Sequence, residues 1–387
     1  MTPSTLPRRE FLRLMSLGAL ALGNGVASAA TAGLARDPAE LNILCWEGYD
    51  SDIVLDPFRA KTGARIDTRS FTNDPTMVHR LTLGGTRRWD LINVDNPWAR
   101  KVMWPAGLIK PLDKTRFEPY FDAMLPRFKA PYLWATDESG HELLGMSQRF
   151  GPFSFVANTR RVSRAAAEDQ GWDLWNDSKP AKYGVQESDD WNVIHLCCIA
   201  GLDPFHALSE EDFARFEATA NRILKDALVI GDMARVNQAL LKGEIDFYLT
   251  GGTYSVSTLR AGGASHLRGI TPRRPVLKDG KAGISWVEIT SVVNNPQVSP
   301  LAEQFLIYVQ DPEIAHRVAF AEGTFNPVAQ MGNPACLAQF TRTELDALQW
   351  EDLEDDLARC AEYDIVPDYR RLLSIVNSAK HAQAEVR

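Results

Sequence analysis

The side chains best able to carry covalent, acid–base or metal chemistry are five cysteines and seven histidines among 387 residues. Cys45, Cys197, Cys198, Cys336 and Cys360 contain no Cys-x-x-Cys pair, and an odd count leaves at least one thiol free even in an oxidising compartment. Cys45 closes a strand-like run and Cys197-Cys198 lie in an apolar helical run, so small buried residues are the expectation over redox or metal ligands. The histidines, at 79, 141, 195, 206, 266, 316 and 381, show no paired metal-ligand spacing, and His195 reads as a satisfied core histidine. There is no Gly-x-Ser-x-Gly elbow, no phosphate loop ending in Gly-Lys-Ser/Thr, no His-Glu-x-x-His and no calcium loop. An enzyme is therefore not expected, and no cofactor or metal is either. A catalyst assembled from distant positions stays open, which keeps an exported hydrolase as the alternative from another class. One stretch offers recognition instead: Thr250-Gly251-Gly252-Thr253, at a predicted helix start, could present backbone N–H groups to an anion.

The elements that would position such residues alternate strand and helix. Residues 41–46 form a short apolar run suited to a buried parallel strand, and a helix capped by Ser51 or Asp52 runs to a stop at Gly63. Residues 64–71 and 89–95 read as further strands, separated by a helix carrying Met77, Val78 and Leu81, and Pro97 opens the next helix. Residues 149–156 read as a long strand, after which the pattern restarts: a strand at 182–186, an apolar helix from Trp191 capped by Asp190, a capped amphipathic helix from Ser209, and a strand at 243–250. Another strand covers 286–293, followed by helix starts at Ser299-Pro300 and Asp311-Pro312 and a last helix from about Asp368. Nine acids against one Arg between Glu344 and Asp364 read as a solvated helical face. The βαβ rhythm predicts two α/β units, each a mostly parallel sheet covered by helices.

Composition sets the outer limits. With 45% hydrophobic and 24% charged residues the chain is globular, and its length suits two domains. A formal charge of −8 argues against nucleic acid as a partner, and beyond the N-terminus no apolar run approaches the roughly 18 residues of a membrane span. The N-terminus resembles a twin-arginine export signal: Arg8-Arg9 followed by Phe11-Leu12, an apolar stretch to Leu22, and the small residues Ala27-Ser28-Ala29, with Pro7 where that signal usually has Ser or Thr. Cleavage is expected near Ala29, with release into the periplasm and the twin-arginine translocase as the export partner. Residues 1–29 hold three Arg and one Glu, so removing them takes the charge to −10. An acidic protein outside the cytoplasm suits a cationic small ligand better than a polyanion.

Four stretches, in order, resemble the spermidine/putrescine-binding family of periplasmic solute receptors for ABC transporters. They are residues 41–49 ending Trp46-Glu47-Gly48-Tyr49, with Lys61-Thr62-Gly63 beyond; Trp89-Asp90-Leu91 with residues 106–113; Trp172-Asp173-Leu174-Trp175 with Lys182-Tyr183-Gly184 and Ser188-Asp189-Asp190; and residues 283–288 with Phe325-Asn326-Pro327-Val328. The resemblance implies a two-lobed, type II-like periplasmic binding protein whose crossover strands lie near 149–155 and 286–292. The expected lobes are residues 38–150 plus 288–330 and residues 151–287 plus 331–387, after a signal at 1–29. It implies a monomer that captures a small amine-containing, polyamine-like ligand and delivers it to an ABC permease in the inner membrane.

The family's contact positions fall on Trp46 and Tyr49, on Asp95 and Trp98, on Asp190, and on Trp286 with Glu288. Aromatic faces attract ammonium groups and cover methylenes, and carboxylates fix the spacing of the charges. Four positions depart from the family: Val193 stands where a second carboxylate is usual, Thr250 where a Trp is, Glu47 replaces a small polar residue, and Arg149 stands in the crossover strand. Fewer carboxylates plus an arginine would suit a zwitterionic or anionic solute, such as an amino-acid derivative or aminophosphonate, as the second binding alternative. Sensing rather than transport would use the same cleft.

Overall fold

The computed structural model describes residues 37–177 and 182–384. The predicted signal and its cleavage site lie outside the described residues. Three parallel strands open the chain: β1 (Glu40–Trp46) lies between β2 (Arg65–Phe71) and β3 (Leu91–Asp95). Between them run α1 (Asp52–Thr62), which ends on Gly63 in the left-handed region at φ 70°, and α2 (Asp74–Thr82), capped by the Asn73 side chain. A two-residue strand, β4 (Ile109–Lys110), follows.

The second parallel set is β6 (Tyr183–Gln186) between β7 (Val229–Gly231) and β8 (Phe247–Gly252). Helices α3 (Asp189–Ile199) and α4 (Glu210–Asp226) accompany it, and α5 (Thr253–Ala261) leaves directly from the end of β8. The Ser209 capping box predicted for α4 is present.

Two long strands join the sets. β5 (Met146–Asn158) and β10 (Gly283–Val293) pair antiparallel with each other, β10 also with β3, and β5 also with β8 and with β9 (Leu267–Ile270). The result is one continuous sheet in the order β2-β1-β3-β10-β5-β8-β6-β7, with β4 and β11 (Cys360–Glu362) on β10. Every residue of β5 and β10 is buried, the polar Gln148, Arg149, Glu288 and Ser291 among them.

The hydrophobic core divides along these strands. One large part gathers buried residues from 41–150 and 287–357, a second from 155–284 and 361–379, and a smaller third gathers Val156 with residues from 229–267. The change falls where Gly151-Pro152 pairs with Ser285-Trp286. α6 (Pro312–Phe320) belongs to the first part, and α8 (Tyr369–Ala384), numbered after α7 (Trp350–Ala358), packs on α3 and α4 in the second.

Several local expectations change. α3 starts at Asp189 with Ser188 as its cap, so Asp190 is a first-turn residue and not the N-cap. The helix expected from Pro97 is one turn (Asn96–Trp98) running into a π-helical turn (Ala99–Met103). The acidic stretch is only partly solvated. Asp352 accepts from Arg164 and Arg268, and Asp356, itself buried, holds Arg359. A helix face this acidic is balanced by arginines from a neighbouring helix, from β9 and from its own C-terminus rather than by water alone. The five cysteines are free and buried, and His195 lies in the core. Among the described residues no helix is long and apolar enough to cross a membrane.

Candidate ligand-binding site

The carboxyl ends of the parallel strands in both sets open toward one crevice, the usual ligand position in α/β sheets. Trp46 ends β1 and Asp95 ends β3 on one side, while the first turn of α3, which follows β6, carries Asp190 on the other. The crossover strands supply Arg149 and Glu288 beneath. A bulge in the β5–β10 pairing between Val287 and Ile289 sets the direction of the Glu288 side chain.

Arg149 and Glu288 answer each other. The guanidinium donates from Nε to Glu288 Oε2 at 2.9 Å and from Nη2 to Oε1 at 3.1 Å. Nη1 donates to Glu322 Oε2 at 2.6 Å, and Nη2 also donates to the backbone oxygen of Glu47 at 3.0 Å. Tyr49 donates its hydroxyl to Glu288 Oε2 at 2.7 Å, and its ring lies 4.5 Å from the Arg149 guanidinium carbon. Gly48, at φ +96°, lets this loop run against Glu322; a Cβ there would meet the Glu322 nitrogen at 2.9 Å. The Glu47 side chain itself points outward and is exposed, so its contribution at this centre is a carbonyl oxygen. Burial is the largest influence on Glu288 and raises its carboxyl above the usual range, although Arg149 and Tyr49 oppose it.

A second acidic centre has no such partner. Asp74, the first residue of α2, is 3% exposed and accepts from Trp46 Nε1 at 2.7 Å. The backbone nitrogen of Asp95 donates to both Asp74 oxygens at 3.4 and 3.3 Å, and the two carboxyls face one another. Burial pushes the Asp74 carboxyl up to about 8, with Glu288 and Asp190 adding to the rise, and Asp95 is raised well above its ordinary value by burial and then by Asp74. Among the described residues no Lys or Arg forms an ion pair with either. Sequence reading missed Asp74, because an acid in a helix's first turn is ordinary. Its signal was position: it follows the end of β2 at the edge where Trp46 and Asp95 also emerge.

Asp190 closes the third side. It accepts from Asn73 Nδ2 at 2.9 Å and from the Tyr369 hydroxyl, so it joins α2 to α8, and burial raises its carboxyl. Aromatic rings run from this point across α3, β5, α5 and β10. Tyr363 lies 5.1 Å from Trp191, Trp191 packs on Phe153 at 4.6 Å, Phe153 stacks on Tyr254 at 5.5 Å, and Tyr254 meets Trp286 edge-on at 6.2 Å. Trp98 donates its Nε1 to the Tyr363 hydroxyl at 3.4 Å. The Tyr363 hydroxyl feels Asp74, Asp95 and Asp190 together, which places that ring beside the acids.

Thr250 stands apart from this group. It is fully buried at φ 68°, donates to Asn192 Oδ1 at 2.6 Å and shares a 3.0 Å contact with His195 Nδ1. His195 Nε2 in turn lies 3.2 Å from the Phe153 carbonyl oxygen, and burial lowers its pKa to about 3, so it is neutral. The helix start that follows is also covered: a Cβ on Gly269 would lie 2.5 Å from the Thr253 nitrogen. The anion-binding turn anticipated at 250–253 thus has its hydroxyl engaged and its first helical amide packed against β9.

No protein-family model matches this sequence. Solved structures do match in fold. A putative spermidine/putrescine ABC transporter from Listeria monocytogenes superposes with a TM-score of 0.67 at 15% identity, over 90% of this chain and 100% of that one. The Tp0655 (TpPotD) lipoprotein of Treponema pallidum gives 0.64 at 13% identity, over 89% and 99%. MotA from A. tumefaciens B6, solved with glucopine, gives 0.57 at 15% identity, over 90% and 99%. The continuous sheet, the divided core and the crevice between its halves are the fold of the two-lobed solute-binding proteins, including those of spermidine/putrescine ABC transporters.

Proposed function

We propose that this chain is the solute receptor of an ABC importer, exported through its twin-arginine signal to the periplasm, where it works as a monomer. It takes a small amine-containing solute between its lobes and presents it to an inner-membrane permease. The lobes are residues 38–150 with the chain from about 287 to 358, and residues 151–286 with the remainder. Leu348, Leu353 and Leu357 favour placing 331–357 with the first core, while Gln349 and Asp352 bond to Gly269 and Arg268 of β9.

The observation that carries the reading is electrostatic. Asp74, Asp95 and Asp190 converge in an aromatic-lined crevice, and none has a Lys or Arg ion-pair partner among the described residues. Buried carboxylates are costly unless a cation or donors meet them, and a solute ammonium supplies both. The rings of Trp46, Trp98, Trp191, Tyr363, Tyr254 and Trp286 would cover its methylenes and face its charge. A zwitterion or anion finds less here, since the donors of Arg149 and the Thr250 hydroxyl already have partners.

Isothermal calorimetry against putrescine, spermidine, amino-acid derivatives and a neutral sugar tests this. Saturable binding of an amine is expected. Binding of the sugar with no response to any amine would overturn it.

A further inference from the structure

Asp74 and Asp95 differ from the other acids of the crevice in lying against each other without a charged donor. Asp190 receives two neutral donors and Glu288 receives a guanidinium, but the principal side-chain donor to the Asp74–Asp95 pair is the Trp46 indole. A further acceptor stands beside them. Asn96, 1% exposed, donates its amide to Glu362, just before Tyr363, and its Oδ1 is buried with no donor. Asn96 Oδ1 therefore lacks any donor, and the donors to the Asp74 carboxyl beside it are neutral, the Trp46 indole and the Asp95 backbone amide.

We propose that Asp74, Asp95 and the Asn96 amide oxygen form the ammonium subsite of this crevice, and that a bound ammonium takes the place of a proton the two carboxyls share. This inference rests on the amine-receptor reading above. A primary ammonium brings three N–H donors and one positive charge, which matches three acceptors and one displaced proton. The proton leaves to solvent, so the charge held in the pocket stays constant.

Two carboxylates in contact within a desolvated pocket do not both ionise, so the unliganded pair keeps one proton near neutrality. The raised carboxyls of both residues follow from the same packing. The groups facing the pair favour this state. Glu288 from β10 and Asp190 from α3 add negative charge, Tyr363 after β11 is neutral, and Arg149 from β5 is held by Glu288 and Glu322. Arg149 opposes the rise at Asp95 through its charge, but burial, Asp74 and Glu288 outweigh it, and no Lys or Arg among the described residues forms an ion pair with either acid.

The test is calorimetry with whichever of putrescine, spermidine and 4-aminobutyrate binds most tightly, in buffers of different ionisation enthalpy. Wild-type protein should release close to one proton per amine at pH 7, and its affinity should rise up to about tenfold per pH unit between pH 6 and 7.5. In Asp74→Asn, Asp95 loses the acid with which it shares a proton, so proton release should fall and affinity should change less with pH, although burial and Glu288 still raise Asp95. The two proteins should bind comparably near pH 6 and differ at least tenfold at pH 8.5. Asp95→Asn should behave alike, and unchanged circular dichroism guards against a folding defect in either.

If wild type binds an amine with no proton release, and both variants follow its pH profile, the subsite is wrong while the receptor reading stands. If wild type binds no amine at any pH, both fall together.

Discussion

Two buried acidic centres lie side by side in the crevice and are built differently. Glu288 is matched within the protein by a bidentate arginine, a tyrosine hydroxyl and a second carboxylate on the far side of the guanidinium. Asp74 and Asp95 are equally buried but have each other, an indole N–H and a backbone amide. The first arrangement is complete and ties the crossover strands to the loops after β1 and before Asn326. The second has neutral donors but no charged one from the chain, so a proton or a cation from outside would balance its charge. A carboxylate matched by the chain's own arginine is architecture, whereas one that lacks a cation is where a ligand's charge can be read.

The sharpest way to break this distinction is to remove Arg149. Arg149→Met leaves Glu288 buried without its cation and should cost about 3–5 kcal/mol of stability, read by urea denaturation. The paired change Arg149→Met/Glu288→Leu should recover most of that, because an apolar pair replaces an ion pair at little net cost. By contrast Asp74→Asn keeps an acceptor for Trp46 and removes a source of repulsion, so it should not destabilise. Equal losses from Arg149→Met and Asp74→Asn would show that the two centres do the same structural job.

The alternation that defines the fold was readable because its strands are short apolar runs and its helices carry caps. The aromatic positions Trp46, Trp98 and Trp286 and the acids Asp95 and Asp190 were within reach of the same reading. What pairs with what was not. Arg149 and Glu288 are 139 residues apart, and only the antiparallel register of β5 and β10, with its bulge, brings them together. Thr250 looked like a free turn, yet its hydroxyl is enclosed by Asn192 and His195 once α3 packs on β8. Asp74 was hidden because its burial comes from tertiary packing around a helix end that sequence marks as exposed.

A smaller effect separates the centres by pH. The Asp74 carboxyl is raised to about 8 in the folded protein against 3.8 in an unfolded chain. A raised acid binds more protons folded than unfolded in that window, so its contribution is fullest at low pH and declines as pH climbs from about 4 toward 8. The unliganded Asp74→Asn protein should therefore gain in Tm relative to wild type as pH rises from 5 to 8, by on the order of a few degrees. Differential scanning calorimetry of both proteins across that range measures it. A gap that stays constant with pH would mean that Asp74 titrates in the folded protein as it does in water.

The smallest effect is expected at the rim, where the lobes also meet through ion pairs. Arg100 donates to Glu362 at 3.2 Å, and Lys101 pairs with Asp364; the Lys101 and Asp364 side chains are 34% and 29% exposed. These bridges span the same crevice as the buried groups, but water and salt screen them, and such pairs contribute about 0–1 kcal/mol. Lys101→Met should thus change amine affinity less than about fivefold, and the change should shrink further in 0.5 M salt. Arg100 is less replaceable, because its guanidinium also donates to the backbone oxygens of Leu133 and Thr136 and so holds the loop that carries them. A large, salt-resistant loss from Lys101→Met would move the energetic centre of closure from the buried acids to the rim. A small one leaves the crevice held shut mainly by what it binds.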